Sequence, residues 1–391
     1  MGAPVASYRH PSWTVRDQLA AYGNNSGNLL IGQSLREVLE ISEFATEPNP
    51  KSADDRFDVI VVPAANMIFK EFDLSSYADR IEATNLPCVV AGLGAQAPHA
   101  GEKVTDIPAG SKRFLKVIAE RSKVIGVRGN FTAEVMSDFG ITNVRPIGCP
   151  SLYRSHDRGL RIRRSRSGAP LRVTLNGSRD TIAHMRSPVH AQRVEAALIR
   201  LSIGRGYSYV LQSEDIEIDV LASQTTTSQQ QAALEQLLRD LDASDAIGAF
   251  ANHIRANGRL FFDLQSWDDH MRSVDVSIGS RFHGNLIALT NGTPAVILNH
   301  DSRTTEMAEL MGMPHVFTED VRQIDPEDLL EMADFDLFEA RYQRLYDRFA
   351  DFLAENGLSH RLQDALPVED RDQLLRPAGR IALTDLPGAD I

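Results

Sequence analysis

Arginine and histidine stand two residues apart in Ser280-Arg281-Phe282-His283-Gly284-Asn285, directly after the apolar run of residues 274–278. Gly279 ends that run, and Leu286, Ile287 and Leu289 give the residues that follow a helical apolar face. Arg281 and His283 therefore lie where a buried strand gives way to a helix. Free N–H groups and the helix dipole favour an anion there, the dipole by about 0.3–1 kcal/mol. A guanidinium adds roughly 1.5–3 kcal/mol per hydrogen bond to a charged partner. On these magnitudes Arg281 dominates anion affinity, while Gly284 and Asn285 belong to the helix start that sets its geometry. Histidine is the side chain that titrates near neutrality unperturbed, so His283 can hold or give a proton. The bland alternative makes His283 a cap and Arg281 a salt-bridge partner. Both groups together at the carboxyl end of a strand favour the functional reading.

Other polar groups also follow strand-like runs. Residues 295–298 lead into Asn299-His300-Asp301-Ser302-Arg303 and a helix over 304–311. Asp301, Arg303 and Glu306 either face the same site or serve as cap and first-turn residues, with equal weight on each. Arg179, in Asn176-Gly177-Ser178-Arg179-Asp180 after the run 171–175, is a second candidate anion contact. The glycine- and asparagine-rich loop 22–32 carries Asn25 and Asn28, and Gly92-Leu93-Gly94 leads to Gln96. Such turns let backbone approach a ligand closely, and the three amides are candidate acceptor-sugar contacts. Neither turn is GxGxxG and no Walker lysine follows, so dinucleotide and P-loop binding are not supported. No metal is expected: Asp268-Asp269-His270 reads as a solvated helical cluster and Asp54-Asp55 as loop. Cys149, in Gly148-Cys149-Pro150, reads as a small buried residue rather than a nucleophile.

The elements that position these residues alternate. Strands are expected at 58–63, 87–94, 124–128 and from 144. Helices are expected at 111–121 and 130–139, the latter with Asn130 as N-cap and Gly140 as stop. After a linker at about 155–170 the pattern restarts. Strands are expected at 171–175, 207–211, 260–262, 274–278 and 295–298, and helices at 188–202, 230–241 and 246–256. This βα alternation predicts an α/β protein of two Rossmann-like, doubly wound parallel-sheet domains facing across a cleft. The expected division is 1–160 and 165–330. Residues 331–391 form a helical tail, with Phe335, Phe338, Tyr342, Leu345 and Phe349 on its packing face and a frayed end.

A length of 391 residues fits two domains. The net charge of −12 argues against a nucleic-acid partner, though a local pocket can oppose it. Arg154, Arg158, Arg161, Arg163, Arg164 and Arg166 form a basic run, read first as a solvated interdomain linker. The sharper alternative is a surface that steers an acidic or lipid-phosphate acceptor. Two cysteines fit a reducing compartment, and no signal peptide or membrane-spanning run is read, so the expected location is cytoplasmic.

The sequence resembles the polysaccharide pyruvyl transferase family. The likeness is carried by Ser280-Arg281-Phe282-His283-Gly284-Asn285 and Gly292-Thr293-Pro294-Ala295-Val296. It is supported by the loop at 23–32, Gly92-Leu93-Gly94, and Val127-Arg128-Gly129-Asn130-Phe131-Thr132-Ala133 before Gly140. The resemblance implies the fold of two-Rossmann, GT-B-type glycosyltransferases. It also implies phosphoenolpyruvate as co-substrate, no separate cofactor, and a glycan or lipid-linked saccharide acceptor that could bring the enzyme to a membrane surface. On this resemblance residues 1–160 would be the acceptor side and 165–330 the donor side. Arg281, and with it Arg179, would bind the donor's carboxylate and phosphate, with His283, Gly284, Asn285 and Arg303 also in the donor site. His283 would protonate the methylene carbon or hold the phosphate, leaving Asp301 or Glu306 to handle protons. A nucleotide-sugar glycosyltransferase or epimerase on the same fold, and a non-catalytic sugar- or phosphate-binding protein, remain the alternatives.

Overall fold

A computed structural model describes residues 12–45, 53, 56–97, 103–164, 170–179, 186–223, 225–362 and 381–383. Arg166 and the Asp54-Asp55 pair lie outside the described residues.

Short apolar runs become parallel strands because both sheet faces are covered. The first lobe contains β1 (Phe44–Ala45), β2 (Val59–Pro63), β3 (Asn66–Ile68), β4 (Cys88–Ala95), β5 (Ile125–Val127) and β6 (Val144–Pro146). The second contains β7 (Val173–Asn176), β8 (Ser208–Leu211), β9 (Gly258–Leu260), β10 (Val276–Gly279), β11 (Ala295–Asn299) and β12 (His315–Phe317). A last strand, β13 (Ile381–Leu383), returns to the first sheet between β1 and β2. The frayed end expected there is overturned at residues 381–383, which the first sheet accepts in parallel; the rest of that expectation falls outside the described residues. The sheet orders are β1-β13-β2-β4-β5-β6, with β3 beside β4, and β12-β11-β10-β7-β8-β9. Counted from β7, the second order is that of a dinucleotide-fold sheet, 3-2-1-4-5-6. Its switch point lies between β7 and β10.

The helices of the first half are α1 (Val15–Ala21), α2 (Asn28–Val38), α3 (Ser75–Glu82), α4 (Ala109–Arg121) and α5 (Asn130–Asp138). Those of the second are α6 (Pro188–Arg205), α7 (Asp215–Ala222), α8 (Ser228–Asp240), α9 (Ile247–Asn257), α10 (Leu264–Ser273), α11 (Phe282–Thr290) and α12 (Ser302–Met311). Then follow α13 (Pro326–Met332) and α14 (Phe335–Glu355). Leu19 of α1 is buried in the second lobe's core, so the chain enters on that lobe before building the first. Gly129, rather than Asn130, is the N-cap residue of α5 and offers no side-chain cap. Among the described residues no helix is long and apolar enough to cross a membrane.

Phe335, Phe338, Tyr342, Leu345 and Phe349 are all buried. They enter one core together with α2, with Val61 and Val89 of the first sheet, and with Leu286 and Ile297 of the second lobe. The helix α14 therefore joins the lobes rather than lying on one. The basic run serves the same junction. Arg154 forms a two-pronged pair with Asp268 (2.6 and 2.8 Å), and Arg158 with Asp347 (2.8 and 2.7 Å). Arg161 and Arg164 bind Glu339, and Arg163 donates to the carbonyls of Gly292, Arg272 and Val274. The described arginines of the run are thus tied to carboxylates and carbonyls across the junction rather than left as a free linker, although Arg161 and Arg164 stay more than half exposed, and Asp268 is buried rather than solvated. The run's acidic partners come from more than a hundred residues away, where local charge patterning cannot see them.

Candidate active site

The turn after β10 is held by amides. Asn176, at the end of β7, accepts the Arg281 N–H at 2.9 Å. Asn285 donates to the carbonyls of Gly279 and Arg281, each at 2.9 Å, and accepts from Ser277 Oγ. Asn176 and Asn285 are fully buried. Asn285, expected to touch the donor, instead locks the strand-to-helix turn. Gly284 is buried too: a Cβ there would meet Asn176 and Gln212 at 3.0–3.2 Å, so its absence lets α11 start against β7. These contacts fix Arg281 as N-cap residue of α11 and put His283 in its first turn.

Both side chains line a cleft of about 250 Å³ between the lobes. The turn that opens α2 contributes Asn25 and Asn28, and the first lobe Asn66, Phe69 and Arg128; the second lobe contributes Ser178, Gln212, Ser280, His300 and Arg303. Asn25 and Asn28 thus meet Arg281, His283 and Arg303 in one space, at the switch point of the second sheet.

Arg281 does not bring a free charge. Its guanidinium binds the Glu214 carboxylate, the Gly177 carbonyl at 2.7 Å and Ser213 Oγ at 2.6 Å. Glu214 is in turn anchored by the Gln212 N–H at 2.7 Å. The expectation that Arg281 supplies the main charge is therefore corrected, because a buried carboxylate neutralises it. Arg128 supplies the charge instead. It follows β5 and is almost fully buried. Its Nε donates to the Gly92 carbonyl at 3.0 Å and its Nη1 to Asn66 Oδ1 at 2.9 Å, both neutral acceptors. Its Nη2 finds no acceptor among the described residues, and neither does the Gln212 Nε2 in the opposite wall. Buried donors of this kind are rare and each carries the cost of lost hydration unless something binds them. The glycine turn explains how Arg128 fits. Gly92 has φ +83°, and a Cβ on Gly94 would overlap Asn66 and Arg128. The close approach expected there is to the protein's own arginine. Gln96 does not line the cleft.

His283 is half-buried, 3.6 Å from the buried Cys149 Sγ. Burial, then the Arg128 and Arg281 guanidiniums, push its pKa down to about 3, so the imidazole is neutral at pH 7.

Three other candidates fall outside. Arg179 is buried against Glu195, Glu217 and Tyr209 and does not line the cleft, so the charge expected for the donor is spent inside the lobe. Asp301 caps α12 through the Thr304 N–H at 2.8 Å and binds Arg303 Nε at 2.6 Å. Against the burial that would raise it, the Arg303 guanidinium, the neighbouring His300 ring and this capping bond hold its carboxyl well below the usual range, so it is a fixed anion rather than a proton carrier. Glu306 crosses to the first lobe, where it accepts from Thr132 N at 2.6 Å and Thr132 Oγ1 at 3.0 Å. Burial pushes its pKa up to about 7, but its carboxylate caps α5 instead of facing the cleft.

Arg128 and Gln212 were not selected from the sequence, although Arg128 carries the same signal as Arg281: a cation between a buried strand and a helix. Gln212 has no such signal.

The model of the polysaccharide pyruvyl transferase family matches residues 25–302. No curated protein matches the sequence. Solved structures of similar shape include a protein assigned as a UDP-N-acetylglucosamine 2-epimerase from Listeria monocytogenes. It has 10% identity and TM-score 0.35, over 79% of this chain and 71% of that one. A glycotransferase of kitacinnamycin has 14% identity and TM-score 0.30, over 94% and 85%. The glycosyltransferase SnogD from Streptomyces nogalater has 12% identity and TM-score 0.30, over 92% and 80%. The family model runs from the Asn25 loop through β4, Arg128 and the Arg281–His283 turn to the start of α12. With most of the sequence matched, the chain belongs to the polysaccharide pyruvyl transferase family.

Proposed function

We propose that this protein transfers the pyruvyl group of phosphoenolpyruvate to two hydroxyls of a sugar in a cell-surface glycan precursor, forming a cyclic ketal. The reading is supported above all by one observation. Arg128 Nη2 and Gln212 Nε2, both buried and unpaired among the described residues, point to a ligand rich in acceptor oxygens beside a neutral His283. A cleft of about 250 Å³ suits a compact donor, since sites for larger ligands span roughly 300–1,000 Å³.

The donor's carboxylate and phosphate bind Arg128, Gln212 and Arg303, with Arg281 held rigid by Glu214. Binding a multiply charged anion beside His283 offsets the two guanidiniums that depress its pKa, so the imidazole takes up a proton. That proton passes to the methylene carbon, which becomes a methyl group, and C2 gains oxocarbenium character. One sugar hydroxyl adds to C2 and a second displaces the phosphate. Of the two hydroxyl protons, one restores the proton that His283 gave to carbon and the other leaves with the phosphate, so the step balances. Asn25 and Asn28 of the turn that opens α2, and Asn66 on the first lobe, orient the acceptor's hydroxyls. The work is cytoplasmic, and a lipid-linked acceptor would bring the enzyme to the membrane surface.

Thermal unfolding with phosphoenolpyruvate, and separately with UDP- and GDP-sugars, tests the reading. The expected result is stabilisation by phosphoenolpyruvate, about 2.7 kcal/mol at a hundredfold excess over Kd. Stabilisation by the nucleotide sugars alone would assign the cleft to glycosyl transfer or epimerisation instead.

A further inference from the structure

A second basic site lies outside the cleft. Arg341, Arg344 and Arg348 repeat at i, i+3 and i+7 on α14, which puts them on one stripe of the helix, about 4.5 and 6 Å apart along its axis. They border an open groove of about 540 Å³, whose far walls are the start of α5, with Asn130 and Phe131, and Glu306 and Glu309 of α12. Arg341 and Arg348 each donate to a main-chain carbonyl, of Glu309 and Pro146. Those bonds place the guanidiniums without neutralising them. Among the described residues none of the three has an ion-pair partner. This sets them apart from Arg154, Arg158, Arg161 and Arg179, each of which is matched to a carboxylate. Of the two acidic groups in the groove, Glu306 is engaged by Thr132, which leaves Glu309 facing three cations.

On a chain of net charge −12, three unmatched guanidiniums in one groove concentrate positive potential where an anion can enter. Phe131, Leu310 and Leu345 give that groove an apolar floor. From this geometry we infer that the groove binds the diphosphate group of a phosphorylated ligand. The arginines on successive turns bracket the two phosphates, and the rest of the molecule lies on the floor. Diphosphate chemistry is shared by nucleotide sugars and by polyprenyl-linked saccharides. The inference is independent of the donor assigned to the cleft.

Titration calorimetry on the full chain tests it with three probes: inorganic pyrophosphate, UDP-glucose and a short-chain polyprenyl diphosphate. Arg344→Ala/Arg348→Ala changes two exposed side chains. It should weaken pyrophosphate binding at least tenfold with an unchanged melting temperature, whereas Arg344→Lys/Arg348→Lys should retain part of the affinity. Arg128→Ala, in the cleft, should leave that binding intact. A much tighter response to UDP-glucose or to the polyprenyl diphosphate than to pyrophosphate identifies the natural source. Absence of pyrophosphate binding to the wild type, or binding lost in Arg128→Ala but kept in the α14 double variant, would overturn the site. The first result leaves phosphoenolpyruvate binding to the cleft untouched, and the second would move pyrophosphate into the cleft while removing it from the α14 groove.

Discussion

At the scale of single residues, the chemistry turns on how His283 is charged. Its imidazole is neutral because burial and two guanidiniums disfavour the cation. The unfolded chain, with an ordinary histidine, binds more protons than the folded chain between about pH 3 and 6.5. The contribution of His283 to stability is therefore complete above about pH 6.5 and is lost as pH falls toward 3. His283→Gln should flatten the stability profile in that window, as measured by urea unfolding at several pH values. The same variant should lower turnover by about 10²–10⁴-fold. At pH 7 it should also abolish the protein's share of proton uptake on phosphoenolpyruvate binding, read as the dependence of binding enthalpy on the buffer's ionisation enthalpy. Equal proton uptake in wild type and variant would take the proton away from His283. The sequence located this histidine and Arg281, because strand-end and helix-start signals are local. It did not reveal that Glu214 neutralises Arg281, since that carboxylate arrives from the far side of β8. Nor did it single out Arg128, whose importance comes from having neutral partners.

At the scale of elements, the site depends on the turn between β10 and α11. Asn285 and Asn176 supply the hydrogen bonds that a tight, buried strand-to-helix turn leaves open, and Asn285 alone satisfies two carbonyls. Asn285→Ala should therefore destabilise the protein by roughly 1–3 kcal/mol per buried group left unpaired. The observable is a lower urea midpoint at unchanged slope. If stability were unaffected while donor binding vanished, Asn285 would be a ligand contact after all. The alternation of strands and helices was legible because parallel strands buried on both faces read as short apolar runs. The Asp301 cap was legible only as one of two options. Its position before α12 fits either a cap or a catalytic acid, and the Thr304 and Arg303 contacts decide for the cap.

For the whole molecule, the lobes are joined by one continuous core, by α14, and by Glu306 reaching across to Thr132. That last contact titrates. The Glu306 carboxyl is pushed up to about 7, so the folded state holds a proton that the unfolded state has released between about pH 4.5 and 7. Its stabilising effect is present below pH 4.5 and is lost as pH rises through 7. Glu306→Gln, which stays neutral, should remove this loss and melt higher relative to wild type at pH 8 than at pH 5. Parallel profiles for the two proteins would show that the contact carries no titrating load. The junction was the least legible part of the sequence. Arg154, Arg158 and Arg161 look like a solvated stretch until Asp268, Asp347 and Glu339 are brought to them by the fold.

The central claim is that the cleft takes a small, multiply charged donor through Arg128. Titration calorimetry of phosphoenolpyruvate into wild type and Arg128→Ala tests it most directly. Phosphoenolpyruvate should bind the wild type and lose at least about tenfold in affinity in the variant, the worth of one charge-assisted hydrogen bond. Equal affinity for phosphoenolpyruvate in the two proteins, or no binding of it to either, would contradict the account.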